Sequence, residues 1–160
     1  MDRQGPRGSG ERADISLYRI RGQNIGWENL LFEYKTGLGP ERSIFFQDHP
    51  MVQAMKNSHV VKEAKRVFEN GGGKALDYED VDFEWWDVPG AGYNMTEQFI
   101  GSARVSITPT KDGRIKYQID NTTDRNSGSL DKGTQSIPRD PNYLTPNGTI
   151  YQRLIWWEKN

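Results

Sequence analysis

Near the end of this chain, the run Thr149-Ile-Tyr-Gln-Arg-Leu-Ile-Trp-Trp157 carries apolar side chains at both alternating sets of positions. A strand of that kind is apolar on two faces, which predicts a central place in a sheet with material packed above and below it. Other segments supply the neighbours. From Phe99 to Ile107 the pattern alternates, with Phe99, Ala103, Val105 and Ile107 inward and Gln98, Ser102, Arg104 and Ser106 outward. Lys111-Asp-Gly113 is a turn signal, and Ile115, Tyr117 and Ile119 carry the pattern back, so 98–120 reads as a hairpin. Val81, Phe83 and Trp85 alternate with Asp82, Glu84 and Trp86 as a further half-buried strand. Asp14 to Ile20 reads as a short first strand, whereas Ser43-Ile-Phe-Phe46 is too short to assign.

Helical spacing appears twice. In Gly26–Tyr34, Trp27, Leu30, Leu31 and Tyr34 share one side, and Lys35-Thr-Gly-Leu-Gly-Pro40 enforces a turn after it. Asp48-His-Pro50 has the form of a capped helix start. A long helix is predicted from about Met51 to Glu69, with Val52, Val60, Ala64, Val67 and Phe68 as its inner stripe and Asn70-Gly-Gly-Gly73 as its stop. Residues 121–148, rich in Asn, Thr, Ser, Gly, Asp and Pro, read as a long polar loop of the kind often used for function. The fold expectation is therefore α+β: an antiparallel sheet of about four to five strands packed with one long and one short helix. It forms one soluble domain over 13–160, after a Gly-, Pro- and charge-rich lead-in or linker at 1–12. The 160 residues fit one domain. An apolar share of 34% is low, but 5 Trp, 7 Tyr and 6 Phe compensate with large buried rings.

Charge and cysteine usage narrow the functions. Twenty-one basic residues against 22 acidic ones give a net charge of −1, without the basic excess by which nucleic-acid binders neutralise phosphates. With no cysteine there are no disulfides, thiolate nucleophiles or cysteine zinc sites. No apolar run is long enough for a transmembrane helix, and the polar start is no signal peptide. There is no P-loop, G-x-G-x-x-G, G-x-S-x-G or H-E-x-x-H motif, so no cofactor or metal is expected.

Of two histidines, His59 lies at the margin of the long helix's stripe, where packing explains it. His49 sits between Asp48 and a helix N-terminus, a place that favours anions; there a histidine can serve as acid or base, with Asp48 orienting it. A plain helix cap is the competing account. The acidic run Asp77, Glu79, Asp80, Asp82, Glu84, Asp87 puts Asp82 and Glu84 on one strand face at roughly 7 Å, where they could hold a hard cation or act as an acid/base pair, although a solvated acidic face is the default account. Gln98, Ser102, Arg104, Lys116, Gln118 and Asp120 form a polar sheet face with Gln152 as neighbour, on which a ligand could rest. Asn121 and Arg139, at the start and within the long loop, complete the candidate substrate-binding set with Gln98, Ser102, Arg104 and Gln152. The outer rings of Trp85-Trp86 and Trp156-Trp157 are candidates for binding sugar, membrane or protein. The triplets at Asn94, Asn121 and Asn147 read as turn chemistry rather than glycosylation sites.

Several short strings bring a family into view: Tyr34-Lys-Thr-Gly-Leu-Gly-Pro-Glu41, Phe46-Gln-Asp-His-Pro-Met51, Met55-Lys-Asn-Ser58, Gln98-Phe-Ile-Gly-Ser102, Asn121-Thr-Thr123 and Gly148-Thr-Ile-Tyr-Gln152 with Trp156. Together they resemble the variable C-terminal toxin domains of Rhs (YD-repeat) polymorphic toxins over roughly residues 26–158. The DPxG-type core motif usual before such tips is missing. The resemblance implies a toxin tip carried by a larger secreted protein, delivered into competing bacteria and neutralised by a cognate immunity protein. Such tips have unrelated activities, so the resemblance implies a role and not a reaction. The alternative expectation is a non-catalytic module that binds carbohydrate or protein through the polar sheet face.

Overall fold

A chain with one doubly apolar strand needs neighbours on both sides of that strand, and the computed structural model, which describes residues 14–80, 103–124 and 136–160, provides them. In chain order the elements are β1 (Arg19–Ile20), α1 (Trp27–Thr36), β2 (Arg42–Phe45), α2 (Pro50–Lys56), α3 (His59–Asn70), β3 (Leu76–Asp80), β4 (Ala103–Pro109), β5 (Arg114–Thr123) and β6 (Ile150–Lys159). The described strands form one sheet in the order β1-β2-β6-β5-β4-β3. β6 runs antiparallel to β5 along its length and parallel to β2 on its other side.

The α+β class holds, but the details differ from expectation. The sheet is mixed and six-stranded rather than antiparallel with four to five strands. Its parallel part arises because β1 reaches β2 through a helix, the connection that parallel pairing requires. The expected first strand over 14–20 shrinks to Arg19–Ile20; before it, Ile15–Leu17 forms a 3-10 turn capped by the Asp14 carboxylate, which accepts from the Ser16 amide at 2.8 Å. β4 and β5 pair as the expected hairpin, with Val105 opposite Ile119 and Ile107 opposite Tyr117. The strand expected at 81–86, the acidic pair Asp82 and Glu84, and the hairpin residues 98–102 lie outside the described residues.

Instead of one helix over 51–69 there are two, α2 and α3, so the described helices number three. Ser58 is the N-cap of α3, its hydroxyl accepting from the Val61 amide at 3.3 Å, and Asn57 turns its side-chain amide back to the Gln53 carbonyl. Such short polar side chains compete with helix continuation. Packing gives the deeper reason. Met51 and Val60 are nine positions apart, as are Met55 and Ala64, which is about two and a half turns of α-helix. An unbroken helix would aim the two pairs' members to opposite sides, yet all four are buried in one core.

That core lies on one face of the sheet. Met51, Val52, Met55, Val60, Val61, Ala64 and Phe68 from the helices meet Val105, Ile107, Ile115, Tyr117, Ile119, Leu154 and Trp156 from the strands, with Leu30 of α1 included. Trp156 is fully buried and stacks on Tyr117 at 5.1 Å between ring centroids. The opposite face holds a smaller cluster of Tyr18, Ile44 and Ile155, with Phe46, Tyr151 and Trp157 against it. Trp157 is thus half-buried in packing, with the Arg114 guanidinium 5.6 Å from its ring centroid. No helix among the described residues is long and apolar enough to cross a membrane.

Candidate functional site

Polar side chains concentrate where β1, β2, β5 and β6 meet the end of α1 and the segment 137–149. On the helix-covered face, Asn121, Thr123 and Gln152 are all buried. Asn121 Nδ2 donates to Gln152 Oε1 at 2.5 Å, and the Thr123 hydroxyl donates to the same oxygen at 3.0 Å. Asn121 and Thr123 therefore belong to β5, not to a loop starting at 121, and Asn121 does not serve a turn. Asn147 does, with a φ of 61°. Gln152 stands beside Ser43 in the β2–β6 register. Ser43 Oγ accepts from Arg21 Nη1 at 2.8 Å, and the same guanidinium forks onto Glu33 at 2.9 and 2.6 Å.

Arg139 closes this junction from the long loop. Its Nη1 donates to the Gly39 carbonyl at 2.5 Å, and its Nη2 to the Leu38 and Glu33 carbonyls at 2.7 and 3.0 Å. The guanidinium thereby gathers carbonyls at and just beyond the C-terminal end of α1, where the dipole favours a cation; the Glu33 carbonyl also accepts from the Gly37 amide at 2.9 Å. Gly37 terminates that helix at φ 83°, and a Cβ there would come within 2.5 Å of the Thr145 nitrogen. Left-handed backbone and close approach both demand glycine.

Two open clefts flank this end of the sheet. One, of about 480 Å³, is lined by Gly37, Gly39, Glu41, Arg139 and Asp140 to Leu144. The other, of about 530 Å³, is lined by Ser16 to Arg19 and Pro40 to Arg42. Glu41 borders both.

The second face carries the other polar group. Asp120 and Arg153 form a buried pair at 2.7 Å, each with a side chain no more than 6% exposed. Gln118 also donates to Asp120, and Arg104 stands opposite Asp120 in the β4–β5 register while pairing with Asp77 at 3.5 Å. Burial pushes the Asp120 carboxyl up, and Arg153, Gln118 and Arg104 pull it back. The expected polar face thus splits. Arg104, Gln118 and Asp120 share one side, but Gln152 faces the other, opposite Asn121.

His49 is 3% exposed and both ring nitrogens are taken by backbone. Nδ1 accepts from the Met51 amide at 3.1 Å as the N-cap of α2, which leaves Nε2 to donate to the Gly22 carbonyl at 2.9 Å. Burial holds its pKa below the ordinary histidine value, with the Gly22 contact opposing. Asp48 is exposed and is not what orients the ring. His49 reaches the junction through Gly22, the neighbour of Arg21. Gln98 and Ser102 lie outside the described residues, so of the candidate binding set Asn121, Arg139 and Gln152 come together, and Arg104 stands apart on the opposite face.

The residues that the sequence reading passed over are Tyr18, Arg21, Glu33, Arg42 and Arg153. For Arg153 a signal existed: a charge inside a doubly apolar strand is buried and requires a partner. Among the described residues no group of three or more His, Cys, Asp or Glu could hold a metal ion. The junction instead offers amide, hydroxyl and guanidinium groups, which bind and orient. Comparison with known proteins adds no relative: no family model, no curated protein and no solved structure matches this chain.

Proposed function

We propose that this domain is the toxin tip of an Rhs-type polymorphic toxin, acting in competition between bacteria, with the junction at the end of α1 as its working surface. One observation supports the reading: strings that carry the resemblance, scattered along the chain, are neighbours in space. The Tyr34 carbonyl accepts from the Asn147 amide and the Glu41 carbonyl from the Tyr151 amide, both at 2.8 Å, which ties the 34–41 string to 148–152. Asn121 and Thr123 bind Gln152 in turn. On this reading the domain travels as part of a larger exported protein and meets a cognate immunity protein.

Induced expression in a bacterium without that protein, in cytoplasm and separately in periplasm, is expected to arrest growth in one compartment. Harmless expression in both would sink the reading. Both ring nitrogens of His49 are engaged with backbone as a cap, so His49→Asn, which keeps a capping side chain, is expected to leave the arrest intact. The second reading, a non-catalytic binding module, draws on the exposed apolar side chains Tyr143 and Leu144 in the first cleft and Leu38 next to its glycines, 76%, 63% and 44% exposed. Exposed apolar groups with a polar rim suit a protein or carbohydrate surface.

A further inference from the structure

We propose that the cleft between the Ile15–Leu17 turn and β2 binds a small phosphate monoester, with Arg42 as its anchor. This inference is independent of the toxin reading. The Arg42 guanidinium is held in a slot between two tyrosines, 4.0 Å from the ring centroid of Tyr151 and 5.7 Å from that of Tyr18. Register explains the slot, because Arg42 lies beside Tyr151 in the β2–β6 pairing and Tyr18 immediately precedes β1 on the other side. Aromatic faces fix a guanidinium plane, and although the Tyr18 and Tyr151 hydroxyls also draw on Arg42, its fork has more donors than these two acceptors use.

Arg42 also differs from two of the other arginines at this end of the sheet. Arg21 pairs with Glu33 and Arg153 with Asp120, whereas no carboxylate pairs with Arg42 among the described residues. Its Nη1 is buried and has no hydrogen-bond partner. A guanidinium presents five donors in a fixed fork, and a buried donor left unmade is costly, so the missing component is an acceptor.

The cleft supplies the rest. Arg19, exposed and beside Ser43 in the register, also lines the cleft, as do Ser16, whose hydroxyl bonds to Asp14, and the apolar Leu17 and Pro40. Two cations face one carboxylate, Glu41, a modest excess that suits one phosphate group rather than a polyanion. A chain of net charge −1 fits that choice, because nucleic-acid backbones are held by many cations at once. At about 530 Å³ the space exceeds a bare phosphate and falls in the range of small-molecule sites. It therefore accommodates the ester's body against Leu17 and Pro40, with Glu41 placed to accept from a hydroxyl on that body.

The test titrates the full chain with adenosine monophosphate, inorganic phosphate and adenosine while following backbone amide shifts by NMR. The expected result is saturable shifts at Ser16 to Arg19 and Pro40 to Arg42 with the monophosphate, weaker binding of phosphate alone and none of adenosine. Losing the charge-assisted contact in Arg42→Gln is expected to weaken binding about tenfold or more. Arg19→Gln, on an exposed side chain with no packing role, is expected to weaken binding by a smaller factor and keeps the test decisive if Arg42→Gln fails to fold. Shifts confined to other residues, no shift with either phosphate probe, or unchanged affinity in Arg19→Gln and in a folded Arg42→Gln would each overturn the proposal. Equal affinity for phosphate and the monophosphate would overturn the role given to the walls.

Discussion

The two faces of the sheet are buried by different chemistry. Beneath the helices, Val105, Ile107, Ile119, Leu154 and Trp156 meet valines, methionines and a phenylalanine, and only the far end turns polar, at Asn121, Thr123 and Gln152. On the other face the same strands bury the charged pair Asp120 and Arg153, one register position before Asn121 and Gln152, with the Arg153 guanidinium 4.5 Å from the Tyr18 ring centroid. Apolar burial is non-directional and tolerates imperfect neighbours. A buried charge requires its particular partner, so the second face is held by identity and the first by volume.

The comparison breaks most sharply at the charged pair. Asp120→Ala or Arg153→Ala alone is expected to cost roughly 3–5 kcal/mol by urea unfolding, because either leaves an uncompensated buried charge. Replacing both, as Asp120→Leu with Arg153→Met, is expected to restore much of that loss. A double variant no more stable than the singles would mean that the second face is not held by pairing. On the helix face Leu154→Ala is expected to cost about 2–5 kcal/mol through the cavity it leaves, and no second substitution nearby should rescue it as the charge swap does. Ser58→Ala, which removes the cap that lets α2 and α3 share one core, is expected to cost about 1 kcal/mol; an unchanged unfolding midpoint would show that packing alone enforces the break.

The smallest effect concerns pH. His49 has its pKa lowered in the fold, chiefly by burial. The unfolded chain takes up this proton first, near the ordinary value of about 6.5. This contribution to stability is therefore constant above that value and falls as pH drops through it toward the lower folded pKa. Thermal melts from pH 8 to 5 should show a shallower decline in His49→Asn than in the unaltered chain. Identical slopes would remove His49 from the account.

Legibility followed the length of each signal. α1, the β4–β5 hairpin and the central place of β6 each rest on repeated spacing that no other structure satisfies as well. β1 reads too long from sequence, over 14–20, and β2 stays unassigned, because two to four residues carry no period, and the parallel place of β2 depends on β6, more than a hundred residues away. The α2–α3 break was hidden by a stripe drawn from Val52 to Phe68 that left out Met51 and Met55; including them shows the change of phase. Among the candidate residues, Asn121, Arg139 and Gln152 are singled out by type, yet the partners around them, Arg21, Glu33 and Ser43, come from separate segments and have no local signature.

β6 lies between β2 and β5, yet it follows every other described element in the chain. During ribosomal synthesis the first two strands and the later three therefore have no template joining them until these residues emerge. Sheet closure waits for the latest-made strand and depends on contacts of large sequence separation, the kind that slow folding. Until then each half presents an open strand edge, so the nascent chain passes through an interval in which self-association competes with completion.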